Sequence, residues 1–156
     1  MLEAIVNLIL NLLKPKIKPK EIISPIIRRE LDSASIVSII EAKFPELPRQ
    51  FIFMSDKTKQ LCDIEDIEAF LEQDRTNHIE FIAEKFDCDD FTFRLMGQFS
   101  TPEWASIAKG IVWSDKHALM AFIDTNLDFW YLEPQNDKIQ SKLENWQGSE
   151  IRVIIM

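Results

Sequence analysis

The spacing of apolar residues changes part-way along the chain, and this change constrains the fold more than any other feature. From Lys109 onward, KGIVWS, HALMAFI, FWYLE and EIRVIIM are short runs rich in β-branched and aromatic residues, separated by SDK, DTNLD and a polar helical stretch from Asp137 to Trp146. They predict strands of an antiparallel sheet. Between Glu21 and Phe86 the period is helical: SASIVSIIEAKF after Asp32, DIEDIEAFLEQD from Asp63 and TNHIEFIAEKF from Thr76 each begin beside a helix-capping residue type. Two further helical segments join the halves. These are DCDDFTFRLMGQF, with Asp87 as N-cap, and TPEWASIA, with Thr101 as N-cap and Pro102 at the first helical position. The expected class is α+β, a helical N-terminal half with a cysteine-bearing helix packed on an antiparallel β-meander.

Composition narrows the function classes. A length of 156 residues is that of one ordinary domain, and its three glycines, Gly97, Gly110 and Gly148, are too far apart to write a glycine-rich phosphate loop. A formal charge of −8 opposes nucleic-acid binding. Two cysteines are too few for a disulfide scaffold, and no cleavable secretory signal is apparent, so a reducing compartment, cytoplasmic or viral, is expected. The opening MLEAIVNLILNLL is apolar but too short to span a bilayer. It is expected to form a helix packed on the body or on a neighbouring subunit, and so to favour self-association, with membrane attachment the lesser reading. KPKIKPK follows as a solvated connector. The expected division is residues 1–20 as apolar helix and linker, and 21–156 as one domain.

One constellation can carry chemistry. With Asp87 as N-cap, Cys88 is the first helical residue, where unpaired backbone N–H groups and the helix dipole favour a thiolate. His117 opens one strand and Glu133 ends the next. Pairing Ile123 with Phe129 across DTNLD sets Leu119 opposite Glu133 and makes His117 and Glu133 diagonal neighbours on one face. Cys88 would then attack, His117 would shuttle the proton and Glu133 would orient the imidazole. A one-residue slip would put Glu133 on the wrong face, leaving Asp124 or Asp137 as the acid. Asn77, the nearest upstream amide, is the candidate oxyanion donor. Cys62 is expected to be structural. A zinc site from Cys62, His78, Cys88 and His117 lacks the close ligand pairs such sites use.

The helix-opening FDCDDF, the strand-opening HALMAFID and the following FWYLEPQND resemble papain-like cysteine peptidases of the type found at the C-terminus of the fairy-ring mushroom agglutinin. The resemblance covers about Thr76 to Met156. It implies a papain-like fold, a cysteine peptidase-like thiol hydrolase acting on a peptide or amide bond, a peptide or protein substrate, and catalytic roles for Cys88, His117 and Glu133. The alternatives are a non-catalytic papain-fold assembly protein and a transglutaminase- or deamidase-like acyl transferase. The thiol chemistry requires no cofactor. The resemblance also implies Ca²⁺ near the site, and Asp89 and Asp90 supply an independent reason for it: their charge opposes ionisation of Cys88, and a bound cation would cancel it.

Overall fold

The computed structural model describes residues 23–156. Among them are three α-helices, α1 (Ser33–Lys43), α2 (Ile64–Leu71) and α3 (Cys88–Gln98), and eight strands. The strands are β1 (Arg29–Asp32), β2 (Ile52–Phe53), β3 (Thr58–Leu61), β4 (Lys109–Ser114), β5 (Ala118–Ile123), β6 (Phe129–Glu133), β7 (Lys138–Gln140) and β8 (Ile151–Ile155). Six of them form one sheet in the order β2-β8-β4-β5-β6-β7, antiparallel except for the β2–β8 pair, and β1 and β3 form a separate antiparallel ribbon.

The main sheet is covered on both faces, which explains why β5 is buried at every position. Successive side chains point to opposite sides. Leu119, Ala121 and Ile123 face one core with Ile36, Val37 and Ile40 of α1, while Met120 and Phe122 face a second core with Ile67, Phe70 and Leu71 of α2 and Leu95 of α3. Phe70 stacks on Phe99 with ring centroids 3.8 Å apart, and both rings meet Trp104 edge-on. Gly110 lies on β4 against the backbone at the end of β8. A Cβ there would fall 1.9 Å from the Ile155 carbonyl oxygen, so no larger residue fits.

The helices start as capping chemistry predicts. Asp32 accepts from the Ser35 N–H at 2.7 Å, and Asp63 with Asp66, and Asp87 with Asp90, form reciprocal capping boxes. Three expected helices are absent. Thr76 onward gives only one tight turn (Thr76–His78), because Ile79 is extended, and Ile82 and Phe86 close a turn through Glu84 at φ 60°. TPEWASIA stops after one turn. There the buried Lys109 ammonium captures the Trp104 and Ala105 carbonyls that a longer helix would use, and the Thr101 hydroxyl makes no cap. The stretch from Asp137 to Trp146 contains β7 and a short turn at Asn145–Gln147 instead of a helix. The ribbon β1–β3 and the short β2 have no counterpart in the expected pattern. The expected N-terminal helix and lysine linker lie outside the described residues. Among the described residues, no helix is long and apolar enough to cross a membrane.

Candidate functional site

The β5–β6 hairpin has the register assumed by pairing Ile123 with Phe129, and Met120 pairs with Leu132. His117 and Glu133 consequently meet on one face. His117 Nε2 lies 2.7 Å from Glu133 Oε2, both side chains being almost fully buried. Glu133 has two further donors, Gln147 Nε2 at 2.8 Å and the Gln135 N–H at 3.3 Å. A carboxylate with three donors is held in one orientation and fixes the imidazole in turn, leaving His117 Nδ1 as the ring nitrogen free for proton exchange.

Cys88 opens α3, whose body packs on β5. Its thiol is half-buried and free, and the Ala118 N–H, next in sequence to His117, faces the sulfur. The fold therefore brings Cys88, His117 and Glu133 to one end of the sheet. The thiol is not activated as a helix start alone would make it. Burial pushes it above the ordinary thiol range, and the charges of Asp87 and Asp89 push further, opposed by the Ala118 N–H. The hydrogen bond between Asp87 and Asp89 holds Asp87 below the ordinary carboxylate range and Asp89 above it. Cys62 is buried under α2 and is pushed up to about 12, chiefly by burial.

The other expected residues go elsewhere. Asn77 donates its amide to Asp137 Oδ2 at 2.6 Å, so that amide is committed away from an oxyanion. Asp90 closes the α3 capping box, accepting from the Asp87 N–H at 3.2 Å, and it is Asp87, Cys88 and Asp89 whose ligand atoms lie within 4.8 Å of one another. Asp124, an alternative acid, holds the β5–β6 turn through the N–H groups of Asn126 and Asp128 and the Trp130 indole.

Three residues around His117 escaped the sequence pattern. Gln147 is buried, and its turn is signalled by Glu144 three residues before it, but nothing in the sequence indicates that its amide reaches Glu133. Ser114 Oγ accepts from the His117 N–H at 2.9 Å and donates to the Gln147 carbonyl, joining both sides of the site. Trp146 stands half-exposed against the imidazole, ring centroids 4.8 Å apart. Behind this turn lies a separate cavity of about 810 Å³, lined by Phe44, Phe51, Tyr131, Asn145 and Arg152 among others.

No protein-family model and no curated protein sequence matches the chain. Solved structures do. The complex of PSL1a with E64 superposes with a TM-score of 0.67 at 18% identity, covering 81% of this chain and 50% of that one. Polyporus squamosus lectin bound to the epitope Neu5Acα2-6Galβ1-4GlcNAc superposes with a TM-score of 0.66 at 19% identity, covering 81% of this chain and 49% of that one. The chain shares their fold and spans about half their length. These comparisons correct the family expectation, because one of the similar structures is described as a lectin and neither as a papain-like peptidase. The peptidase assignment, its structural and acyl-transfer alternatives and the expected peptide substrate fall with it: the ligand named with the lectin is a sialylated glycan. What stands is a mixed α and β fold with a mostly antiparallel sheet.

Proposed function

We propose that Cys88, His117 and Glu133 form a thiol-centred site that bonds covalently to an electrophilic ligand. The observation that carries this reading is the buried 2.7 Å contact between His117 and Glu133 on the strand pair against which the Cys88 helix packs. Cys88 is the nucleophile, His117 Nδ1 takes and returns its proton, and Glu133 orients the ring. With an epoxide, sulfur would form a C–S bond as the ring C–O bond breaks, and the proton held by His117 would pass to the released alkoxide. Trp146 supplies an apolar wall beside the imidazole. In layout the cysteine-bearing helix on an antiparallel meander is papain-like; the α3–β5 packing supports that architectural term, which carries no activity with it.

The two apolar cores share one sheet, which supports treating residues 21–156 as one domain. The free thiols fit a reducing compartment. A cation at the helix start would meet Asp87 and Asp89, and would favour the thiolate by cancelling their charge. The test is incubation with E64 followed by intact-mass measurement and peptide mapping. One adduct on Cys88, lost in Cys88→Ala and slowed in His117→Ala, is expected. No adduct, or labelling that ignores His117, would refute the site.

A second reading is glycan recognition, favoured by the epitope named with the lectin. In this chain the 810 Å³ cavity suits it, since the Phe44, Phe51 and Tyr131 rings border polar Asn145 and Arg152. Titration calorimetry with the same trisaccharide tests it. Saturable heat that is lost in Tyr131→Ala, with the variant still folded, supports glycan binding here, and no heat removes it.

A further inference from the structure

The cover that buries β5 on both faces stops short of the β2 edge of the sheet. Ile52, Val112 and Ile154 turn to the α1 side and join its core, so Phe53, Ile111, Trp113, Val153 and Ile155 turn to the side that α3 occupies. There α3 reaches β4 and β5, and its Phe93 ring meets Trp113 with centroids 5.8 Å apart. Past Trp113 the described residues leave the face open. Phe53 is 50% exposed, Ile155 39% and Phe93 51%, and Trp113 and Val153 are part-exposed. Phe53 pairs with Ile155, Ile155 with Ile111 and Val153 with Trp113, so these side chains form one continuous apolar strip from the edge strand β2 to α3. With strands about 4.8 Å apart, the strip is roughly 15 Å across. An uncovered apolar patch of this kind marks a contact with another segment or molecule.

We propose that residues 1–13 of the same chain, MLEAIVNLILNLL, pack on this strip. Their polar residues Glu3, Asn7 and Asn11 are four apart and make one narrow stripe on a helix, which leaves a broad apolar face with Ile5, Ile9 and Leu12 to bury. A helix of that length is about 20 Å long, enough to cross the strip. The described chain begins at the right end of the sheet. The Ile23 carbonyl accepts from the buried Trp104 indole at 2.6 Å, the Trp104 carbonyl accepts from Lys109 Nζ at 2.7 Å, and Lys109 opens β4 two residues before Ile111, the partner of Ile155. Residues 14–22 span up to about 30 Å when extended, so the apolar run has the reach. Tethering decides between this occupant and a second copy of the chain. A short linker holds its segment at an effective concentration in the millimolar range, far above that of another molecule in dilute solution. Docked there, the run would also cover Phe93 and so brace α3, the helix that Cys88 opens.

Aspartate at position 53 of the full chain tests the proposal. On an open surface Phe53→Asp changes little, since exposed substitutions away from packed contacts are nearly neutral. Under a docked segment it should lower the melting temperature by about 4 °C or more. Ile9→Asp should do the same, and the double variant should fall no further than the worse single one, because both break one contact. A second measurement avoids a variant that folds poorly. The photoreactive analogue p-benzoylphenylalanine replaces Phe53 in the full chain, an equimolar mixture of isotope-labelled and unlabelled protein is irradiated, and the cross-linked peptides are identified by mass spectrometry. Cross-links to residues 1–13 within single chains are expected, without mixed-isotope pairs. Mixed pairs with residues 1–13 would mean that the segment is exchanged between copies, and mixed pairs with other residues would make the strip a contact between two copies. A neutral Phe53→Asp with no cross-link to residues 1–13 would mean that the strip stands open. Each of these three results overturns the proposal.

Discussion

Replacing Glu133 by glutamine tests the centre of the site with the smallest change of shape. The carboxylate accepts from His117, Gln147 and the Gln135 N–H at 2.7, 2.8 and 3.3 Å, and a glutamine amide carries only one accepting oxygen. Whichever way the amide is turned, its NH₂ group faces at least one donor. Two charge-assisted bonds become neutral at a loss of about 1 kcal/mol each, and one buried donor is orphaned at about 1 kcal/mol more. Removing a buried charge works the other way, since its desolvation cost disappears. A net destabilisation of about 2 kcal/mol follows, equal to a fall of about 4–8 °C in melting temperature for a chain of this size. Thermal denaturation followed by circular dichroism measures it. Gln147→Ala combined with Glu133→Gln should cost less than the sum of the two single changes, because both remove the same bond. The second readout is the rate of Cys88 alkylation by iodoacetamide with Cys62→Ala as background, expected to fall as the imidazole loses its fixed orientation. An unchanged melting temperature together with an unchanged alkylation profile would refute the argument that Glu133 positions His117.

Other expectations rest on single positions. Gly148 adopts φ 98°, and a Cβ there would lie 2.4 Å from Asp115 Oδ1 and 2.7 Å from Ser114 Oγ; Gly148→Ala should lower the melting temperature and slow Cys88 alkylation together, since Ser114 and Gln147 both touch the site. Gly110→Ala should prevent folding or cut soluble yield sharply, because the Ile155 backbone cannot move without parting β4 from β8, and a far-ultraviolet dichroism spectrum checks it. In the folded chain, alkylation of Cys88 should rise with pH along a curve displaced above that of a free thiol, and Cys62, pushed up to about 12, should remain unmodified until the protein unfolds.

Much of the layout was legible because local and tertiary signals agreed. Asp87 before Cys88 is a cap whichever way the chain folds, and the hairpin adopts the register assumed across DTNLD, with Ile123 opposite Phe129. The diagonal meeting of His117 with Glu133 is a consequence of that register. Legibility failed where a distant side chain overrides local propensity. The helical period after Thr76 is real, yet Asp137 captures the Asn77 amide from sixty positions away. Lys109 ends the Trp104 turn in the same manner. Gln147 and Ser114 are polar residues in a loop and at a strand end; only the folded chain shows that they close around the imidazole.

In the proposed thiol site, His117 and Glu133 are fixed in place while Cys88 is restrained. His117 and Glu133 are set, while the helix that places Cys88 also places Asp87 and Asp89 beside it, and their charge works against the dipole that would otherwise favour the thiolate. Ionic strength offers little relief. The groups lie within 4.8 Å of one another, inside the screening length of about 8 Å at physiological salt, so dissolved ions cannot intervene between them. A local change can. Asp89→Asn removes one charge at the sulfur without altering the capping box that Asp87 and Asp90 make, and it should move the alkylation profile of Cys88 toward lower pH, whereas sodium chloride added to the parent chain should leave the profile in place. If salt shifts the profile as far as the substitution does, the two aspartates act through the general acidity of the chain, and the restraint on Cys88 is not a property of its helix start.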